Sequence, residues 1–219
     1  MFLHGYMSSK EAFTAQIEYF SRFYRVTAID FLGFGGSMSL TKPFSVEEYA
    51  LWTKEVFSLL GVQKPHVIAH SFGCRVAMKL AYLEPSFFDK IVLTGPAGVI
   101  LKRGFGYHMK VKTYRFVRRF APKFAEKKFG SAEYRTLSSV MKESYKKIVN
   151  EDLRACARCI KNEVLLIEGK TDTTTPKREA EAYLECFPKG KMVLMDGGHF
   201  AFAEYPVRFN LITEDFLYE

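Results

Sequence analysis

The sequence predicts an α/β protein, a mostly parallel sheet flanked by helices and interrupted once by a long insertion. Three observations carry that expectation. Short runs dense in Val, Ile and Leu recur along the chain, the composition of strands buried on both faces. Segments of helical periodicity fill the gaps between them, as crossover helices do in a parallel sheet. From Gly98 to Val149 this rhythm breaks into a stretch rich in Lys, Arg, Phe and Tyr that has no strand-like run.

The elements follow in order. Phe2-Leu3 reads as the tail of a strand, with helical spacing from Lys10 to Phe20 after it. Arg25 to Ile29 is a strand candidate, and Ser45 to Leu60 is helical. The strand His66 to Ala69 leads into a helix over Phe72 to Leu83, and Lys90 to Thr94 is the next strand. After the insertion, Val164 to Glu168 and Lys191 to Met195 are strands separated by a helix over Lys177 to Cys186. Pro206 opens a last helix that runs to Tyr218, where a first turn tolerates proline. The expected organisation is a core domain of residues 1–97 and 150–219, with residues 98–149 inserted as a helical cap. An insertion of that length between two strands is more often a functional lid than a connector. The chain opens almost directly on a sheet strand of two or three residues. Met1-Phe2-Leu3 then has little to anchor it, and an exposed sheet edge is expected to pair either with a second copy, a homodimer, or with missing upstream sequence.

With 48% apolar and 26% charged residues the composition is that of a globular domain, and 21 phenylalanines point to an apolar core or binding site. No window approaches the roughly 18 apolar residues of a membrane span, and no secretory leader pattern is visible. Four cysteines do not suggest a disulfide framework, which makes a reducing cytoplasm the expected location. Cys156 and Cys159 form a C-x-x-C within an amphipathic helical pattern, with Leu153 and Ile160 at core spacing. No second pair completes a metal site, so core packing is expected there and no metal. The net charge of +8 is concentrated: residues 101–150 hold 14 Lys and Arg against three Glu. No nucleic-acid-binding motif accompanies that charge, and no nucleic-acid partner is expected.

The chemistry centres on Ala69-His70-Ser71-Phe72-Gly73, where a strand turns sharply into a helix with one serine at the apex. Small residues two positions to either side suit so cramped a turn, and a serine standing clear of it is a candidate nucleophile. A plain turn with a capping serine would read the same way. Asp172 follows the strand after the insertion, and His199 follows the next. In a parallel sheet both lie on the carboxyl edge with Ser71. Singly, Asp172 reads equally well as a loop cap and His199 as a surface histidine; the three together are a rarer coincidence. Asp196, three residues before His199, is the weaker candidate for the acid.

The order Ser71, Asp172, His199 resembles that of the α/β-hydrolase family. Leu3-His4-Gly5-Tyr6 is similar to its His-Gly oxyanion loop, and Asp30-Phe31-Leu32-Gly33-Phe34-Gly35-Gly36-Ser37 to its Asp-x-x-Gly-x-Gly-x-Ser turn. Leu32 stands where many relatives have an arginine, Ala69 replaces the first elbow glycine, and by this resemblance the first strands of the fold are expected to be missing. The resemblance implies a Ser71-His199-Asp172 triad acting through an acyl-enzyme, an oxyanion hole built from the backbone N–H groups of Tyr6 and Phe72, structural roles for His4 and His70, and no cofactor or metal. The expected substrates are small carboxylic esters with an apolar acyl or aryl group. C–C bond hydrolysis, a thioesterase or aminopeptidase activity, and a non-catalytic ligand sensor remain as alternatives. Within the cap, Met109, Phe116, Phe120 and Phe124 repeat at helical spacing between Lys110, Arg115, Arg118, Arg119, Lys123 and Lys127. Either they pack an apolar stripe on the core, or they line a lid whose basic face attracts anionic substrates or lipid headgroups.

Overall fold

The structure, a computed structural model, describes residues 1–101, 134 and 136–219. The aromatic and basic residues 109–127 of the expected cap lie outside the described residues. Six strands form one parallel sheet: β1 (Phe2–Leu3), β2 (Ala28–Ile29), β3 (Val67–His70), β4 (Ile91–Thr94), β5 (Val164–Gly169) and β6 (Gly190–Met195), in the order β2-β1-β3-β4-β5-β6. Residues of β3, β4 and β5 are buried throughout, which is why these segments are almost wholly apolar. Successive side chains alternate between two cores. Leu3, Ala69, Leu93 and Leu166 face one core, with helices α2 (Val46–Leu59) and α3 (Phe72–Leu83). Phe2, Ile68, Val92 and Leu165 face the other, under α1 (Thr14–Phe20) and the last helix.

The expectation that Met1-Phe2-Leu3 lacks an anchor is corrected. β1 is not an edge but the second strand of the sheet, with Phe2 opposite both Ala28 and Ile68 and Leu3 opposite both Ile29 and Ala69. The Met1 nitrogen donates to His66 O at 2.6 Å, and the side chains of Phe2 and Leu3 are buried. Two flanking strands and two cores hold what its own short length would not. The edge belongs to β2, whose ladder is only Ala28–Ile29 within the expected Arg25 to Ile29, because β1 offers two residues to pair with.

Helix starts follow local chemistry. Ser45 and Glu48 form a reciprocal capping box at α2, Ser45 Oγ accepting from Glu48 N and Glu48 Oε2 accepting from Ser45 N. The expected helix over Lys10 to Phe20 begins as a 3₁₀ turn, Lys10–Phe13, before α1. Beyond the insertion's first part come α4 (Ser139–Val149) and α5 (Arg154–Cys159). In α5 Cys156 is buried and Cys159 exposed, so only one of the pair packs in the core. Next are α6 (Lys177–Leu184), the short α7 (Ala201–Glu204), absent from the sequence reading, and α8 (Pro206–Tyr218).

α4 is fastened to the core by polar contacts. Ser144 Oγ donates to Phe44 O at 2.6 Å, and Leu153 N donates to Gly98 O at 2.8 Å, joining the two ends of the insertion. Arg75, buried on α3, donates to Ile148 O at 2.9 Å and to Glu151 O at 2.8 Å, capping the carboxyl end of α4. Arg75→Leu strands these two carbonyls without a donor, and the expected cost is about 2–4 kcal/mol. Urea unfolding checks this; a loss below about 1 kcal/mol would show that water replaces the guanidinium.

Candidate active site

Ser71 lies between the last residue of β3 and the first of α3 with φ +49° and ψ −106°, a left-handed conformation that costs a non-glycine residue about 1–3 kcal/mol. The surroundings hold it there. Ser71 N donates to Thr94 O at 3.1 Å, and Ser71 O accepts from Cys74 N at 3.1 Å. A Cβ at Gly73 would collide with the carbonyl oxygens of Leu3 and His4, so the glycine lets the elbow press against the loop after β1.

Asp172, after β5, is saturated with donors. One carboxylate oxygen accepts from Thr174 N at 2.7 Å and Thr175 N at 3.0 Å; the other accepts from Thr175 Oγ1 at 2.9 Å and His199 Nδ1 at 2.7 Å. Burial pushes this carboxyl up, but the His199 contact and the Thr175 and Thr174 N–H groups outweigh it and bring it down to about 2. The Thr-rich loop was not singled out in the sequence, although Thr at the second and third positions after an Asp is a recognisable local hydrogen-bonding pattern. Because the folded value is depressed, the contribution to stability is complete above the ordinary value of 3.8 and is lost as pH falls toward about 2. The stability gap between the wild type and Asp172→Asn should therefore narrow by about 2 kcal/mol between about pH 5 and pH 2, measured by chemical unfolding. A gap that is constant over that range would contradict the ionic contact.

His199 donates through Nδ1 to the Asp172 carboxylate, so in the neutral ring Nε2 is the nitrogen without a proton. Its carbonyl accepts from His70 Nε2 at 2.9 Å, and its ring lies 3.0 Å from where a Cβ of Gly95 would stand. Among the described residues no hydrogen bond joins Ser71 Oγ to His199; the elbow and the histidine are bridged through His70, whose ring centroid is 4.7 Å from that of His199. Serine–histidine contacts of this kind are commonly long before a substrate is bound. Burial holds His70 down to about 3, so it is a neutral strut. His4 is likewise internal: Nδ1 donates to Gly5 O at 2.7 Å and Nε2 accepts from Phe31 N at 3.0 Å.

Tyr6 and Phe72 meet across the site, their ring centroids 5.5 Å apart. Phe72 N–H belongs to the first turn of α3, where N–H groups lack intrahelical acceptors. The Tyr6 hydroxyl donates to Met141 O of α4 at 3.1 Å. Asp196 is not drawn in; it pairs with Lys170 at 2.7 Å and Arg208 at 3.2 Å on the surface. Asp30, with Leu32 beside it, takes Lys10 as its ion pair at 2.9 Å and also accepts from Gly36 N. Among the described residues no group of His, Cys, Asp and Glu is placed to hold a metal. A cavity of about 410 Å³ opens at the opposite edge of the sheet, lined by Tyr24, Val62, His66 and Leu217, away from all of these groups.

The alpha/beta hydrolase fold family model matches residues 1–138. The chain belongs to the α/β-hydrolase fold family and is an enzyme of that class, a hydrolase. It is 28% identical to 2-hydroxymuconate semialdehyde hydrolase from Pseudomonas putida, over 89% of this chain and 77% of the relative. An uncharacterised protein from Mycobacterium tuberculosis is 24% identical over 99% of this chain and 74% of its own length. Among solved structures, an esterase from Exiguobacterium antarcticum superimposes with a TM-score of 0.80 at 21% identity, covering 100% of this chain and 91% of the esterase. An enol-lactonase from Burkholderia xenovorans gives a TM-score of 0.77 at 20% identity, covering 100% and 90%. No helix among the described residues is long and apolar enough to cross a membrane.

Proposed function

We propose that this hydrolase cleaves small, largely apolar carboxylic esters by acyl transfer through a Ser71-His199-Asp172 triad. The observation that carries the reading is the 2.7 Å contact between His199 Nδ1 and a donor-saturated Asp172, on the sheet edge where Ser71 is held in a strained elbow. His199 Nε2 takes the Ser71 Oγ proton as Oγ bonds to the ester carbonyl carbon, and the carbonyl π pair moves to oxygen. The N–H groups of Phe72 and Tyr6 receive that oxyanion, each worth about 3 kcal/mol. Collapse of the intermediate expels the alkoxide, which takes the proton from His199, and a water repeats the sequence on the acyl-enzyme. Asp172 keeps the proton on Nδ1 throughout and stabilises the imidazolium.

Residues 98–149 act in this proposal as a lid over the acyl group, with α4 as the part fixed to the core. A second reading, C–C bond hydrolysis, is supported by the identity to a 2-hydroxymuconate semialdehyde hydrolase. Two assays separate the possibilities. Rapid labelling by a fluorophosphonate probe is expected, and its absence would favour a ligand-binding scaffold. A screen of p-nitrophenyl esters of increasing acyl length, run beside a meta-cleavage dienoate, is expected to favour short esters; turnover of the dienoate alone would select the second reading.

A further inference from the structure

Thr175 touches both members of the Asp172–His199 pair, and the acyl-transfer steps above give it no part. Its local conformation follows from sequence: Pro176 comes next and disfavours a helical backbone for it, and its β-branched side chain has few rotamers to choose from. Of the three threonines that follow Asp172, Thr173 and Thr174 are exposed and Thr175 is buried. The backbone N–H groups of Thr174 and Thr175, both on Asp172 Oδ1, already close the turn after the acid. The turn does not need the Thr175 hydroxyl, which serves the other side of the carboxylate. Thr175 Oγ1 is 2.9 Å from Asp172 Oδ2 and 3.2 Å from His199 Nδ1, while Oδ2 and Nδ1 are 2.7 Å apart. The three atoms close a triangle, and its third corner comes from a loop 24 residues further along the chain. The hydrogens in it can be placed. A hydroxyl has one hydrogen and two lone pairs, a carboxylate has lone pairs only, and a neutral imidazole carries one N–H. With Asp172 ionised, the hydroxyl hydrogen and the Nδ1 hydrogen both lie toward Oδ2; every other placement sets two lone pairs against each other at 2.7 or 2.9 Å. Oγ1 then turns a lone pair toward Nδ1–H, near the long limit of an N–H···O bond.

We infer that Thr175 is a positioning residue for the triad: its hydroxyl donates to Asp172 Oδ2 and offers the same oxygen to His199 Nδ1–H as a second acceptor. The inference rests on the triad proposed above. The two backbone donors on Oδ1 and the hydroxyl on Oδ2 together fix the plane of the carboxylate. One lone-pair direction of Oδ2 remains, and Nδ1–H arrives along it. When Nε2 takes the Ser71 proton, part of the positive charge on the ring falls on Nδ1–H, and two oxygens in place of one face it. Without the hydroxyl, the carboxylate is freer to turn about its Cβ–Cγ bond and the ring loses its second contact. The ring is then less well aimed during proton transfer, while the surfaces that bind the substrate are left as they were.

The test uses the full chain and two pairs of proteins that differ at the hydroxyl: wild type against Thr175→Val, and Thr175→Ser against Thr175→Ala. Thr173→Val makes the first exchange at an exposed site of the same loop, and Asp172→Asn reports on the triad itself. Hydrolysis of p-nitrophenyl acetate and the rate of fluorophosphonate labelling are measured for each, with circular dichroism as the folding control. Thr175→Val should lose about tenfold in kcat and in labelling rate with KM within about twofold, the mark of a defect in the chemical step. Thr175→Ser should stay within about threefold of wild type, and Thr175→Ala should fall with Thr175→Val. Thr173→Val should stay within about twofold. If Thr175→Val does not fold, the serine and alanine pair decides. A folded Thr175→Val as fast as wild type, or Thr175→Ser as slow as Thr175→Ala, overturns the inference. So does an equal loss in Thr173→Val, or a loss confined to KM. An Asp172→Asn protein as active as wild type overturns the triad instead. A large loss in Asp172→Asn with no difference within either hydroxyl pair removes only the role of Thr175.

Discussion

Ser71→Ala should abolish labelling by a fluorophosphonate probe and lower ester turnover by several orders of magnitude, while the fold survives. The physical basis is the position of the hydroxyl and not a network of contacts: Ser71 makes no side-chain capping bond to α3, and its backbone is held by Thr94 and Cys74. Alanine has the same Cβ and accepts the same strained φ, so thermal stability should change by less than about 1 kcal/mol. A variant that still reacts with the probe would place the nucleophile elsewhere. A variant that unfolds would make Ser71 a structural residue and leave its chemistry undecided by this route, in which case Ser71→Cys, which keeps a nucleophile of similar size, should still be labelled by a thiol-reactive ester.

Asp172→Asn is expected to reduce turnover by about 10⁴-fold, because an amide that donates toward Nδ1 selects the wrong imidazole tautomer. Asp196→Asn should cost little, since it loses only exposed contacts to Lys170 and Arg208. Steady-state kinetics on one short ester, with both proteins at equal folded fraction, decides between them. The opposite ranking would assign the acid to the wrong carboxylate.

The parallel sheet was legible because its strands are buried on both faces and so carry uninterrupted apolar runs; Ile91–Thr94 and Val164–Gly169 begin and end within a residue of expectation. That Ser71, Asp172 and His199 lie on one edge was legible because each follows a strand of a parallel sheet. What stayed hidden depends on contacts between residues far apart in the chain. The anchoring of β1 could not be seen from Met1-Phe2-Leu3, since it comes from Ala28 and Ile68 on either side. Nothing local marks Arg75, within α3, as the donor to Ile148 O and Glu151 O. Glu168 was read as strand, and nothing in Val164 to Glu168 shows that the fold leaves both of its buried oxygens without a hydrogen-bond partner. The short α7 has only one turn, too few residues for a periodicity to declare itself.

The hydroxyl of Tyr6 reaches Met141 O, so the loop bearing one proposed oxyanion donor is tethered to α4, at the end of the insertion. If the proposed lid and oxyanion roles hold, acyl-chain fit and charge stabilisation are mechanically coupled. A poorly matched ester that displaces α4 would still occupy the site, yet it would drag the donor off the developing negative charge. Discrimination among substrates would therefore be written in turnover rather than in affinity, and two esters with the same KM could differ widely in how often a binding event ends in cleavage.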